Sequence, residues 1–261
     1  MSEGRSALAS GPPDPGRAPR GDRQAVLLSG GRGIRLRPYP TLLPEPLAPT
    51  GDERSVLEVV LRQLADQGFT RAVLAIADAD LGQIVRAFVG DGSQSGIGVD
   101  FVGGTWPART IWPVLATLDD LPEHFLVMSG DTLTSLDYAD LLASHERSGA
   151  SMTVATYQRE RQARPVRLDL PDPFSEGFAR SPLPGCSVSM AIYAATRDAL
   201  LPYRAGLPLG FEEVMLDLTD RGTPPATYRF DGYWLEIGSP DGAGETEWDV
   251  LAAERRSVSG G

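Results

Sequence analysis

Short apolar runs that alternate with amphipathic stretches constrain this chain more than any other feature. Residues 71–76, 97–102 and 125–129 read as buried strands, and residues 55–67, 80–89 and 138–147 as helices set among them. Within the first helix Val56, Val59, Val60 and Leu64 recur at helical spacing, and Gly68 ends it. A strand that must return in the same direction needs a crossover of about helix length. The alternation therefore predicts a Rossmann-like, layered α/β sheet, mostly parallel, with helices on both faces. Further strands are expected at 152–157, 164–170 and 187–194, and a helix at 211–219, with 227–230 and 233–240 closing the sheet.

The 261 residues suit one such domain with a generous core. Residues 1–22 are rich in Gly, Pro and Arg and carry no apolar run, so they read as a disordered leader ahead of a single domain over 23–256. Residues 257–261 read as a flexible tail. A net charge of −11 argues against nucleic acid or an anionic membrane surface as a partner. The single cysteine, Cys186, can make no internal disulfide and reads as a small core residue, and with no signal peptide or apolar span the expected compartment is the cytoplasm. All 24 basic residues are arginine, which excludes lysine chemistry. His124 and His145 lack metal spacing and read as surface or strand-end residues.

Two strand ends carry the chemistry. The apolar run 25–29 breaks into Gly30, Gly31 and Gly33, with Arg32, Arg35 and Arg37 in the same turn. Glycine lets backbone N–H groups crowd toward a phosphate, and guanidinium forks suit bidentate phosphate binding, so this turn reads as a site for a multiply charged anion. It has neither the ending of a P-loop nor the spacing of a dinucleotide fingerprint. The run 125–129 ends in Gly130-Asp131, which puts a carboxylate at the carboxyl end of a strand, where open α/β sheets bind ligands and where oxygen ligands can hold Mg²⁺.

The segment Ala-Val-Leu-Leu-Ser-Gly-Gly-Arg-Gly-Ile-Arg-Leu-Arg-Pro at 25–38, followed by Pro44-Glu45-Pro46, resembles the signature of the sugar-1-phosphate nucleotidylyltransferases. That signature is Leu-Ala-Gly-Gly-x-Gly-Thr-Arg-Leu-x-Pro, then Pro-Lys-Pro. The resemblance spans residues 24–250 and implies the nucleotidyltransferase type of sheet. It implies a nucleotide site of Leu28, Ser29, Gly30, Gly31, Gly33, Arg35, Thr110 and Asp131, with Arg35 and Asp131 catalytic. Residues 233–240 are similar to the family's Trp-x-Asp-Ile-Gly-Thr-Pro, which makes Glu236 the second Mg²⁺ ligand beside Asp131. Glu45, Arg180 and Ser189 fall on the sugar-phosphate side.

The implied substrates are a nucleoside triphosphate and a sugar 1-phosphate. Several positions depart from the pattern. Glu45 stands where the family has lysine, Arg109 and Trp112 where it has glycines beside the base, and Ser189-Met190-Ala191 where it has Asn-x-Gly. Trp112 is expected either in the core or stacked on a base. The departures keep a second reading open, a relative that binds nucleotide, sugar nucleotide or a partner subunit without turnover. A third is a metal-dependent glycosyltransferase built on a similar sheet.

Overall fold

The computed structural model describes residues 23–29, 45–47, 49, 54–76, 79–104, 110–158, 187–205 and 209–236. The expected strand at 164–170 and Cys186 lie outside them.

The first strand, β1 (Arg23–Ser29), shows how the sheet is built. Ala25 and Leu27 feed one hydrophobic core and Val26 the other, all at 0% exposure, because successive side chains in a strand point to opposite faces. A strand buried on both faces reads as a continuous apolar run, and that is how these residues appear in the sequence. β2 (Phe69–Ile76) and β4 (His124–Ser129) divide in the same way: Leu74, Leu126 and Met128 join the first core, while Val73, Phe125 and Val127 join the second.

Helices cover each core. α1 (Val56–Asp66) starts at Ser55, whose hydroxyl accepts from Glu58 N at 3.2 Å while Ser55 N donates to Glu58 Oε2 at 2.9 Å. This capping box satisfies donors that the first helical turn leaves open. α1 packs Leu57, Val60, Leu61 and Leu64 on the first core, joined by α2 (Ala79–Val89) through Val85 and by α4 (Tyr138–Ser148) through Tyr138, Leu141 and Leu142. The second core takes Val114 and Leu115 from α3 (Trp112–Thr117), Leu200 from α5 (Arg197–Leu200), and Phe211, Val214 and Leu218 from α6 (Phe211–Asp220). Both α3 and α5 are too short to show a periodic signal in sequence, and neither was legible there.

The main sheet has seven strands, in the order β3-β2-β1-β4-β7-β6-β8, with β3 at Gly98–Gly103, β6 at Met152–Gln158, β7 at Ser187–Thr196 and β8 at Ala226–Phe230. β7 runs against its neighbours β4 and β6; the other pairings are parallel. One expectation is corrected. Residues 227–230 do close the sheet, as β8, but β9 (Trp234–Glu236) leaves it and pairs antiparallel with β5 (Thr132–Thr134) in a separate two-stranded ribbon. The cause lies in the loop after β5. Thr134 Oγ1 donates to Tyr233 O at 2.7 Å, Ser135 N donates to the same oxygen at 3.0 Å, and Tyr233 N donates to Ser135 Oγ at 2.9 Å. Gly232 permits this approach, since a Cβ there would fall 2.7 Å from Ser135 Oγ and 2.5 Å from the Phe230 ring.

His145 is also corrected. It is wholly buried on α4 and hydrogen-bonded through both ring nitrogens, to Thr153 Oγ1 at 2.9 Å and Thr196 Oγ1 at 3.1 Å. A polar side chain on the inward stripe of an amphipathic helix is tolerated where partners await it. Thr153 sits on β6, the next strand in the chain, and Thr196 on β7, 51 residues on.

Candidate active site at the carboxyl edge of the sheet

From β1 the chain winds outward through β2 to β3, then returns to place β4 on the other side of β1. The gap between the carboxyl ends of β1 and β4 is thus the point where strand order reverses, and open sheets of this kind leave a crevice there. Leu28 and Ser29 end one strand and Ser129 the other, with Leu28 paired to Ser129.

The turn after β4 is tied back to β1. Gly130 N donates to Leu28 O at 3.1 Å, and a Cβ on Gly130 would lie 2.6 Å from Ser29 Oγ, so any larger residue would displace the Ser29 hydroxyl from its place beside the turn. Ser129 Oγ donates a short hydrogen bond to Asp131 Oδ1. Two hydroxyls beside this turn, Ser29 Oγ and Thr132 Oγ1, are buried with no hydrogen-bond partner among the described residues. A buried polar atom left unpaired costs about 1–3 kcal/mol, which a bound water, an ion or a ligand oxygen would relieve.

The ribbon brings a second acidic residue, Glu236, to the turn. Its register sets Glu236 opposite Thr132, one residue along from Asp131. Helix α1 steadies the same ribbon from behind: Gln63 Nε2 donates to Thr134 O at 2.7 Å, and Gln67 Oε1 accepts from Tyr138 N and from Ala139 N at the start of α4. An uncharged amide suits that place because it satisfies main-chain groups without adding charge behind the site.

On the other flank β7 kinks. Its pairing with β4 ends at Met128 and Ile192, and the next residue toward the edge, Ala191, has φ of 55°, a left-handed conformation that L side chains rarely adopt. Ser189 Oγ accepts from Ala191 N at 3.2 Å and holds this bend, and the register between β6 and β7 shifts at the same place. Strain of this kind persists where the surroundings over-determine it, and it gathers at ligand sites. Ser189 and Ala191 thus lie on the strand beside Ser129 at the crevice edge.

The structure therefore brings Leu28, Ser29, Asp131, Glu236 and Ser189 to one edge of the sheet. Glu45 opens a short 3-10 turn, Glu45–Leu47, whose Pro46 and Leu47 are buried. Thr110 is buried and bridges to Gly210, which links the approach to α3 with the start of α6. Trp112 is half-buried in the first turn of α3. Gly30, Gly31, Gly33, Arg32, Arg35, Arg37, Arg109 and Arg180 lie outside the described residues. Sequence reasoning missed Ser129 and Thr132, which flank the Gly-Asp pair. The available signal was a hydroxyl residue closing an otherwise apolar strand.

Comparison with known proteins gives the family. The family model for nucleotidyl transferases matches residues 24–165. The chain belongs to the nucleotidyl transferase family. A mannose-1-phosphate guanyltransferase of Schizosaccharomyces pombe is 27% identical over 225 residues, covering 83% of this chain, which spans 61% of that relative's length. Among solved structures, a Bacillus anthracis protein assigned as a glucose-1-phosphate thymidylyltransferase superposes with a TM-score of 0.68 at 15% identity, over 88% of this chain and 95% of its own. HddC from Yersinia pseudotuberculosis gives 0.63 at 21% identity, over 89% and 99%. These two share the nucleotidyl transferase fold with this chain. No helix among the described residues is long and apolar enough to cross a membrane.

A divalent cation fits the donors at the turn. Among the described residues no three or more His, Cys, Asp or Glu side chains cluster so as to hold a metal ion. Mg²⁺ in phosphate chemistry asks for less, one or two carboxylates with water and substrate oxygens completing the shell. Asp131 and its unpartnered hydroxyl neighbours offer hard oxygen donors of that kind.

Proposed function

We propose that the protein joins a sugar 1-phosphate to a nucleoside triphosphate. A phosphate oxygen of the sugar 1-phosphate attacks the α-phosphorus, the bond from that phosphorus to the bridging oxygen breaks, and pyrophosphate leaves as the nucleotide sugar forms. The observation that carries this reading is the position of Asp131 at the reversal of strand order, with Glu236 set beside it by the ribbon register. Family membership and the mannose-1-phosphate guanyltransferase relative support it.

In this reading Asp131 and Glu236 hold Mg²⁺, which neutralises phosphate charge. Leu28 and Ser29 would line the nucleotide side with Thr110, while the glycine pattern of Gly30, Gly31 and Gly33 would suit the approach of backbone N–H groups to the triphosphate and Arg35 would pair with its oxygens. Ser189 faces the sugar-phosphate side with Arg180. The chain's own contribution is positioning and fixed charge, which suits a displacement at phosphorus.

Glu45 favours a second reading, binding without turnover. A carboxylate about 4 Å from a phosphate oxygen would repel it by about 4 kcal/mol at an effective dielectric of 20. A pyrophosphate-release screen of nucleoside triphosphates against sugar 1-phosphates with Mg²⁺ tests the reaction, and saturable binding with no release from any pair would refute it. In an enzyme adapted to Glu45, Glu45→Lys lowers the rate. In a non-catalytic relative the same substitution tightens triphosphate binding and does not lower the rate, slow pyrophosphate release being the most it could reveal.

A further inference from the structure

Two serines near the crevice each bond to the residue two positions on, but they act on different atoms. Ser189 Oγ accepts from the backbone N–H of Ala191 and so fixes the chain. Ser129 Oγ donates to the side-chain Oδ1 of Asp131 and so fixes the carboxylate. A serine that served only to lock the turn would bond its main chain, and here that task already belongs to Gly130 N and Leu28 O. The position of Ser129 also suits the role. It is half-buried and lies just past the last paired residues of β4 and β7, where Ala191 bends aside.

We propose that Ser129 is a positioning residue: its hydroxyl holds one oxygen of Asp131 so that the carboxylate meets a divalent cation already oriented. The inference rests on the reading of Asp131 as a metal ligand. A carboxylate free to rotate must lose that freedom when the cation arrives, whereas one already held by a hydrogen bond has lost it on folding. Partners that orient a metal ligand from behind typically change affinity or activity 10–100-fold when removed.

The test is a titration of the full chain with Mn²⁺ alone, reading free Mn²⁺ by electron paramagnetic resonance, for wild type, Ser129→Ala and Ser129→Thr. Thermal melting and steady-state pyrophosphate release accompany it. Ser129→Ala should weaken Mn²⁺ about 10–100-fold, as expected for an orienting partner, and lower kcat while leaving the KM for sugar 1-phosphate and the melting temperature nearly unchanged. Ser129→Thr, which keeps the hydroxyl, should restore most of both. Unchanged Mn²⁺ affinity in Ser129→Ala overturns the proposal, and so does a loss that threonine fails to restore, since that points to local shape and not to the hydroxyl. A wild type that binds Mn²⁺ but releases no pyrophosphate defeats the proposed reaction while the titration still decides Ser129. A wild type that binds no Mn²⁺ defeats the role of Ser129 and leaves the release assay to judge the reaction.

Discussion

Strand β4 carries a polar cluster at each end, and the two are built on opposite principles. At its amino end His124, His145, Thr153 and Thr196 are hydrogen-bonded to one another, and the two imidazoles meet edge to face with centroids 5.3 Å apart. At its carboxyl end Ser29 Oγ and Thr132 Oγ1 are buried beside the Gly130-Asp131 turn with no partner among the described residues. The amino-end cluster is closed, because each ring nitrogen of His145 already has a hydroxyl. The carboxyl-end cluster is open. A closed buried network specifies structure, whereas an open one keeps a desolvation cost that binding can relieve. The closed end should therefore govern stability and the open end activity.

The largest expected effect is at the open end. Asp131→Asn removes a full charge from the site while nearly keeping its shape, and should lower Mg²⁺-dependent pyrophosphate release by about 10³-fold, equivalent to about 4 kcal/mol of transition-state stabilisation. The metal-free melting temperature should barely move. Full activity in this variant would remove Asp131 from the site.

At the closed end His145→Ala should show the reverse. It leaves a cavity and strands the Thr153 hydroxyl, at a cost of about 2–4 kcal/mol in denaturant unfolding, while the KM for nucleoside triphosphate stays constant. This end should also respond to acid. Burial, with His124 adding to it, pulls His145 from its ordinary value of 6.5 down to about 4. Between those values the unfolded chain takes up a proton that the folded chain refuses. Stability is then complete above about pH 6.5 and declines as pH falls toward about 4. Unfolding measured across that range should show a steeper slope in wild type than in His145→Ala, and equal slopes would mean that the cluster does not sense protons.

The smallest effect concerns the strained flank of the open end. Ala191→Gly relieves a left-handed conformation worth about 1–2 kcal/mol and gives back about 0.5–1 kcal/mol in chain entropy. A net gain in stability of about 0.5–1 kcal/mol should appear in denaturant melts. A loss would show that the methyl group of Ala191 packs usefully and that the bend is not strained.

Sequence pattern alone determined the layered sheet. Strands buried on both faces must be written as apolar runs, and the helices between them must carry apolar stripes, so β1, β2, β4, α1 and α4 are legible to within two residues. It also singled out Asp131 as a candidate, because a Gly-Asp pair closing an apolar strand is a local signal. Tertiary structure alone decided three things: that β9 pairs with β5 and brings Glu236 beside Asp131, that His145 is buried between two threonines, and that Ala191 bends β7 away from Ser129. The first depends wholly on residues far apart in the chain, and the second in part, through Thr196, 51 positions from His145; the bend at Ala191 is held locally by Ser189, but only the folded sheet shows where it falls. Glu236 is 104 positions from Thr132, the residue it faces, and local periodicity holds no information about which distant backbone will satisfy a hydrogen bond.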